Sequence, residues 1–169
     1  MSPVDQDGRL KKYLELLNLW NEKLSLTSIK KEAREEEAVR KSLEFLPHVS
    51  GKIIDIGSGN GIPGIVLKAA APYLEIWLCE SNQKKAHFLE EVIHELGLEK
   101  IEVLKRNFLE LKEHAGLFDT VISRAFGIKK LKKSGFLLKS GGRIVTYYPG
   151  ENRDADWKKE GDFLIWQKS

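Results

Sequence analysis

The sequence predicts an α/β protein: a parallel, twisted sheet covered by helices on both faces, with five parallel strands and one antiparallel C-terminal strand. Three observations carry this reading. Short β-rich runs alternate with helical periods at the spacing of strand–helix–strand units. The first of these strands breaks into a glycine-rich turn that opens a helix. The chain has 169 residues, 41% of them hydrophobic, which suits one domain with a real core, because a chain of roughly 150 residues buries about two-thirds of the surface it exposes unfolded.

The elements follow in chain order. Arg9–Leu24 sets Leu10, Tyr13, Leu14, Leu17 and Leu24 on a helical period. A second, charged helix is expected from about Lys31 to Leu46, ending before Pro47. Together these helices make an extension, residues 1–50, packed on a core of residues 51–169 within a single structural domain. Lys52–Ile56 is a strand that stops at Gly57. Ile62–Ala71 reads as a helix, with Pro63 in its first turn and Pro72 just past its end. Glu75–Cys79 is a buried strand. Asn82 then caps a helix with the stripe Leu89, Val92, Ile93 and Leu96, ended by Gly97. Ile101–Leu104 and Thr120–Ser123 are strands, and Arg143–Tyr148 is another after a Gly141-Gly142 turn. Phe163–Gln167 closes the sheet. The stretch from Tyr148 to Phe163 is too short for a comfortable parallel crossover, so this last strand is expected to be antiparallel.

Composition narrows the function classes. One cysteine, Cys79, excludes an internal disulfide framework and a multi-cysteine zinc site. The histidines His48, His87, His94 and His114 lack metal-ligand spacing. No apolar run approaches the roughly 18 residues of a membrane span, and Met1–Leu10 is too polar for a signal peptide. A soluble cytoplasmic single domain is therefore expected, and the chain is expected to act as a monomer. Between Thr120 and Gly150 there is no acid but there are seven cations, Lys129, Lys130, Lys132 and Lys133 among them. Such a lopsided field suits a polyanion, although a solvated lysine face would look the same.

The glycine turn, Gly57-Ser58-Gly59-Asn60-Gly61, lies where an open α/β sheet binds ligands, beyond the carboxyl end of a strand. Glycine permits the tight turn and lets a ligand approach bare amides at a helix start. Glu80, at the end of the second strand, is placed to accept hydrogen bonds from both ribose hydroxyls. Two cofactors fit. Gly59-Asn60-Gly61-Ile62-Pro63-Gly64 matches the dinucleotide fingerprint, but its register is late and Asp55 would repel a pyrophosphate. S-adenosyl-L-methionine suits Asp55 better, because it offers an ammonium and carries no phosphate. At the tip of the fourth strand, Ser123-Arg124-Ala125-Phe126 lacks the run that amino-group methyltransferases place there. This leaves a ring nitrogen or a hydroxyl as acceptor, with Arg124 available for a phosphate, a purine edge or the cofactor carboxylate.

The chain resembles the bacterial small-subunit (16S) ribosomal RNA guanine-N7 methyltransferases, also called glucose-inhibited division protein B. The resemblance rests on Leu19–Ser28, on Asp55–Gly64, on Glu80-Ser81 with Lys84-Lys85 and Phe88-Leu89, and on Phe118-Asp119 with Ser123–Phe126. It implies a Rossmann-like class I methyltransferase fold, S-adenosyl-L-methionine as donor, and N7 of one guanine in small-subunit ribosomal RNA or a small-subunit particle as target. Carried over by position, Asp55, Gly57, Ser58, Gly59 and Gly61 hold the methionine side of the donor, Glu80 the ribose and Asn107 the adenine, with Ser81 a further donor-binding candidate. Arg124 matches the functional arginine and is both a catalytic and a donor-binding candidate. The substrate side departs from the family pattern. Ser25 replaces an asparagine, Lys41 follows Arg40 where an Arg-His pair is usual, and Tyr147-Tyr148-Pro149-Gly150 replaces a Lys-Gly segment. Ser25, Arg40, Lys41, Lys129, Lys130, Lys132, Lys133 and Tyr148 are accordingly the RNA-binding candidates. A catalytically quiet donor-binding assembly protein and a small-molecule methyltransferase are the alternative readings.

Overall fold

The computed structural model describes residues 8–124, 126–148, 150 and 154–169. Helix α1 (Arg9–Leu24) and the short α2 (Lys41–Leu43) precede strand β1 (Lys52–Ile56). Then come α3 (Gly64–Ala70), β2 (Glu75–Cys79), α4 (Gln83–Glu95), β3 (Ile101–Leu104), β4 (Phe118–Ser123) and α5 (Ile128–Lys132). Strands β5 (Leu138–Tyr147), β6 (Trp157–Glu160) and β7 (Phe163–Gln167) complete a seven-stranded sheet of order β3-β2-β1-β4-β5-β7-β6. The first five strands are parallel, and β7 runs antiparallel to both β5 and β6.

Side-chain alternation along the strands divides the core into two layers. Ile53 packs on one face with Ile65, Phe88 and Leu89, where Leu10, Tyr13 and Leu17 of α1 also bury. Ile54 and Ile56 pack on the other with Phe108, Val121, Leu131 and Leu137. Both capping signals for α4 hold: the Asn82 side chain accepts from the amides of Lys84 and Lys85, and Gly97 takes the left-handed conformation. Strand order reverses between β1 and β4, so their carboxyl ends, carrying Gly57 and Arg124, flank the crevice where such sheets bind ligands.

Four elements differ from expectation. The second helix is not continuous: a 3₁₀ turn (Lys31–Ala33), a π-helical stretch (Glu35–Arg40), α2 and another 3₁₀ turn (Leu46–His48) replace it. Helix α3 begins at Gly64, after a cis Ile62–Pro63 peptide. Gly141-Gly142 is not a turn but lies inside β5, opposite a register shift between Phe118 and Thr120. A Cβ on Gly142 would sit 3.1 Å from the Asp119 carbonyl oxygen, tight enough to push the strands apart by a few tenths of an ångström, so glycine eases their approach there. Finally, β6 adds a strand at the sheet edge, joined to β7 by a tight turn with Gly161 at positive φ. Its sequence, Trp-Lys-Lys-Glu, has a single apolar residue. Charges on an edge strand keep foreign strands from pairing there, and they also erase the hydrophobic alternation that would reveal it.

Candidate functional site

Strand β1 delivers the chain into a loop fixed by bonds from its own amides and by a few side chains that reach its backbone. Gly57, Gly59 and Gly61 have φ of 71°, 57° and 91°, a region glycine occupies without strain. The amides of Gly57 and Ser58 donate to the Cys79 carbonyl at 2.8 and 3.1 Å, and the Gly61 amide donates to the Ser58 carbonyl at 2.8 Å. The Ser58 hydroxyl donates to the Asp55 carbonyl at 2.7 Å. From α1, the Tyr13 hydroxyl reaches the Asn60 carbonyl at 2.8 Å. The glycines serve different ends. A Cβ on Gly61 would lie 2.5 Å from Ile65 Cγ1, and one on Gly64 would lie 2.7 Å from Asp55 Oδ2. Gly59, by contrast, has no contact closer than 3.8 Å, which leaves its outer side open for a ligand.

The two acids brace this loop. Glu80 Oε2 accepts the Gly59 amide at 2.8 Å and Oε1 accepts the Asn82 amide at 2.7 Å, tying the loop to the end of β2. Asp55 is fully buried beneath the loop and does not line the adjoining cavity. Its Oδ2 accepts the Gly64 amide at 2.9 Å, while its Oδ1 is buried with no hydrogen-bond partner among the described residues. Burial pushes its carboxyl up to about 7, with the Gly64 amide and the Arg124 charge pulling it back. An unpartnered buried carboxylate oxygen is expensive unless a donor completes it.

Over the loop opens a cavity of about 420 Å³ lined by Ser25, Thr27, Gly57, Ser58, Gly59 and Arg124, among others. That size falls in the range of about 300–1,000 Å³ typical of small-molecule sites. The amides of Gly57, Ser58, Gly59 and Gly61 are taken by the Cys79 and Ser58 carbonyls and by Glu80, so the bare amides expected at the helix start are not available to a phosphate. The open side of Gly59, over the orphaned Asp55 oxygen, suits a ligand with an ammonium and no phosphate. Thr27 is a lining residue that the residue-level argument did not single out. The Asn21 side chain accepts its amide at 2.7 Å, and its own Oγ1 accepts the Ile29 amide at 3.1 Å, so this strap is ordered by its own side chains. Ser25 ends α1 at φ 48°, turning the strap toward the loop. Gly61, Glu80, Ser81 and Asn107 do not line this cavity. Ser81 is exposed at the end of β2, and Asn107 uses its Oδ1 to cap the Leu109 amide at 3.0 Å. Cys79 is buried and its thiol is pushed up to about 12, an inert structural group.

Arg124 also lines a second cavity of about 410 Å³, shared with Arg40, Lys41, Glu44, Tyr147, Tyr148 and Asp162. Its guanidinium donates to the Glu37 carbonyl at 3.0 Å and stands 5.4 Å from the Tyr147 ring centre, an arrangement that fixes its direction. Arg40 and Lys41 line this cavity as paired cations. Arg40 meets Glu36 and, at 2.8 Å, Glu44; Lys41 meets Glu37 at 2.8 Å. Tyr148 is half-buried there, with Lys159 Nζ 4.2 Å over its ring.

The four-lysine run does not act as one patch. Lys129 and Lys133 are exposed, and Lys130 lies 4.3 Å over the Phe126 ring. Lys132 is held by Asp154 at 3.1 Å and Asp156 at 2.6 Å. Its charge is answered from within the chain, by acids more than twenty residues away, so it is the weakest of the four as a phosphate contact. Pro149 and Ala125 lie outside the described residues. Among the described residues no group of three or more His, Cys, Asp or Glu could hold a metal, and no helix is long and apolar enough to cross a membrane.

Comparisons with known proteins bear on the family and the fold. Residues 6–168 match the family described as GidB, rRNA small subunit methyltransferase G. The ribosomal RNA small subunit methyltransferase G of Nitrosospira multiformis is 46% identical over 162 residues, covering 85% of this chain and 73% of that protein. The protein of the same name from Nitrosomonas europaea is 46% identical over 121 residues, covering 70% of this chain but only 56% of its own length. Among solved structures, a SAM-dependent methyltransferase from Aquifex aeolicus superimposes with a TM-score of 0.55 at 16% identity, over 88% of this chain and 77% of the other. At that identity the likeness is one of fold.

Proposed function

The chain belongs to the rRNA small subunit methyltransferase G family, and from this premise we propose that it transfers the methyl group of S-adenosyl-L-methionine to N7 of a guanine in small-subunit ribosomal RNA. It would act as a cytoplasmic monomer on the RNA or on a small-subunit particle. When bound, S-adenosyl-L-methionine supplies a methyl carbon activated by an attached sulfonium. Guanine N7 carries a free lone pair and no proton, so accepting a methyl group requires no general base. The chain's task is then to bind, to orient and to exclude water. The open face of the Gly57–Gly61 loop and Asp55 beneath it would hold the methionine end, and Glu80, through the lone pairs that its bonds to the Gly59 and Asn82 amides leave, would hold the ribose, with Ser81 beside it.

The observation that carries the proposal is that Arg124 borders both cavities. A single guanidinium, already oriented by the Glu37 carbonyl and the Tyr147 ring, can touch a donor in one and an acceptor base in the other. Its bidentate fork suits a carboxylate or a purine edge equally. Lys129, Lys130 and Lys133 flank the segment after Arg124 and would meet RNA phosphates, whereas Arg40 and Lys41, at the rim of the second cavity, would do so only by exchanging their carboxylate partners Glu36, Glu44 and Glu37.

The test is direct. Purified protein is incubated with isotope-labelled S-adenosyl-L-methionine and either small-subunit particles or protein-free small-subunit rRNA, and the digested nucleosides are read by mass spectrometry. Labelled N7-methylguanosine is the expected product. Tight donor binding with no labelled nucleoside would instead favour a donor-binding assembly protein.

A further inference from the structure

The second cavity contains two carboxylates, Glu44 and Asp162, that no step of methyl transfer requires. They differ in setting. Asp162 is exposed in the turn between β6 and β7. Glu44 is half-buried, just past the end of α2, and faces Tyr147, the last residue of β5, at the end of the sheet where ligands bind.

The partners of Glu44 leave part of it available. Its Oε1 takes the exposed Arg40 at 2.8 Å. Its Oε2 lies 3.3 Å from the Tyr147 hydroxyl. That hydroxyl has one proton, and its closer contact is the Lys41 carbonyl, to which it donates. Glu44 Oε2 therefore keeps acceptor capacity beside a cavity large enough for a base. Tyr147 cannot swing to follow it, because its ring is stacked on Phe163 with centres 4.7 Å apart and meets Phe45 edge-on at 5.1 Å. The wall that presents Glu44 is thus fixed from behind.

Resting on the methyltransferase reading above, we infer that Glu44 is the specificity-determining residue for the acceptor base, its carboxylate accepting the N1–H and N2–H of guanine. Guanine is the base that offers two adjacent donors on that edge. Adenine and cytosine present an unprotonated ring nitrogen there, which would face the carboxylate lone pairs, and uracil flanks its single N–H with two carbonyls. The remaining group of the same edge agrees. O6 sits between N1 and N7 and suits a guanidinium, and Arg124 stands at the border between this cavity and the glycine-loop cavity. A base with N1 and N2 on Glu44 and O6 on Arg124 turns N7 toward the donor side. Reading a base taken out of its stack by its Watson–Crick edge is the general solution for enzymes that modify bases. The carboxylate also helps the reaction. As N7 gains the methyl group the ring becomes cationic and its N1–H becomes a stronger donor, so the bond to Glu44 tightens toward the product.

The experiment removes one donor from each side of the pairing. After the methylated nucleotide is located in wild-type product, particles are prepared with guanosine or with inosine, which lacks the N2 amino group, at that single position. Single-turnover rates are then measured for wild type, Glu44→Ala, Glu44→Gln and Glu44→Asp. Wild type is expected to lose about 10–100-fold on inosine, the range for a hydrogen bond to a charged group. Glu44→Ala is expected to be slower on guanosine, with less than about a threefold gap between the two bases. Glu44→Asp should retain part of the discrimination, and Glu44→Gln supplies the ratio if alanine is too slow to read. Calorimetry with S-adenosylhomocysteine reports that the variants still fold and bind donor. The same inosine gap in Glu44→Ala or Glu44→Gln as in wild type, no gap in wild type, or transfer of the effect to Asp162→Asn would overturn the assignment while the methyltransferase reading stood. No transfer by wild type to either particle would overturn both.

Discussion

The two walls that meet at Arg124 are built from different materials. On the donor side the chain path is set by bonds from main-chain amides: Gly57, Ser58 and Gly61 on carbonyls, and Gly59 and Gly64 on the buried carboxylates of Glu80 and Asp55. On the acceptor side the cavity is edged by exposed or partly exposed ion pairs, Arg40 with Glu36 and Glu44 and Lys41 with Glu37, on a segment that changes from π-helical to α-helical at Lys41. Exposed pairs of this kind contribute little to stability and re-form easily with other partners. A small, invariant ligand is best met by the first kind of wall, and a large polyanion that must be admitted and released by the second.

Substitutions should separate the walls, and the largest effects belong to the donor side. Gly64→Ala places a methyl group against Leu78 and Asp55 Oδ2, and should destabilise the fold by about 2–3 kcal/mol in denaturant melts. Gly61→Ala adds strain at φ 91° to a clash with Ile65 and should lose donor binding as well, read by calorimetry with S-adenosylhomocysteine. Arg124→Ala stands between the walls. It should lower kcat/KM by about a hundredfold through misplaced reactants, with a smaller change in melting temperature; outright unfolding would make Arg124 structural.

Asp55 gives a pH test of the donor wall. Its carboxyl keeps its proton up to about 7 when folded, whereas an unfolded aspartate releases it near 4. Between these values the folded state binds more protons, so stability should be fullest below about 4 and fall as pH rises through about 7. Asp55→Asn should flatten that slope. If the ionised carboxylate meets an ammonium, donor affinity should rise between about pH 5 and 7 in wild type and stay level in Asp55→Asn.

The smallest effects should fall on the acceptor side. The double substitution Lys129→Ala with Lys133→Ala should weaken RNA binding and reduce its log–log salt slope by about 1–2, one unit for each lost phosphate contact. Lys132→Ala should leave that slope unchanged, because Lys132 is already paired with Asp154 and Asp156.

The same contrast explains what the sequence could reveal. The donor wall is local: Asp55, the glycines and the capping Asn82 stand within or beside the elements they organise, so spacing alone located them. Glu80 was expected from its place at a strand end to hold a ribose, and only the fold shows that it also braces the Gly59 and Asn82 amides without lining the cavity. The acceptor wall is assembled from distant pieces. Glu44 looks like one more acid on a charged helix until Tyr147 is brought within 3.3 Å, more than a hundred residues later. Lys132 looks like part of a basic run until Asp154 and Asp156 fold back on it. Strand β6 was hidden because Trp157 is its single apolar residue, and the interrupted second helix because a π-helical stretch leaves little mark on hydrophobic periodicity. The glycine pair in β5 was misread because close strand approach and turning both call for glycine.

Titration of the isotope-labelled protein with S-adenosylhomocysteine, followed by backbone amide NMR, tests the donor wall in one measurement. The expected result is saturable shifts at Gly57, Ser58, Gly59 and Asn60 and at the Arg124 side chain, with the amides of Lys129–Lys133 unmoved. Saturable shifts elsewhere with the glycine loop silent, or no shifts at millimolar ligand, would contradict it.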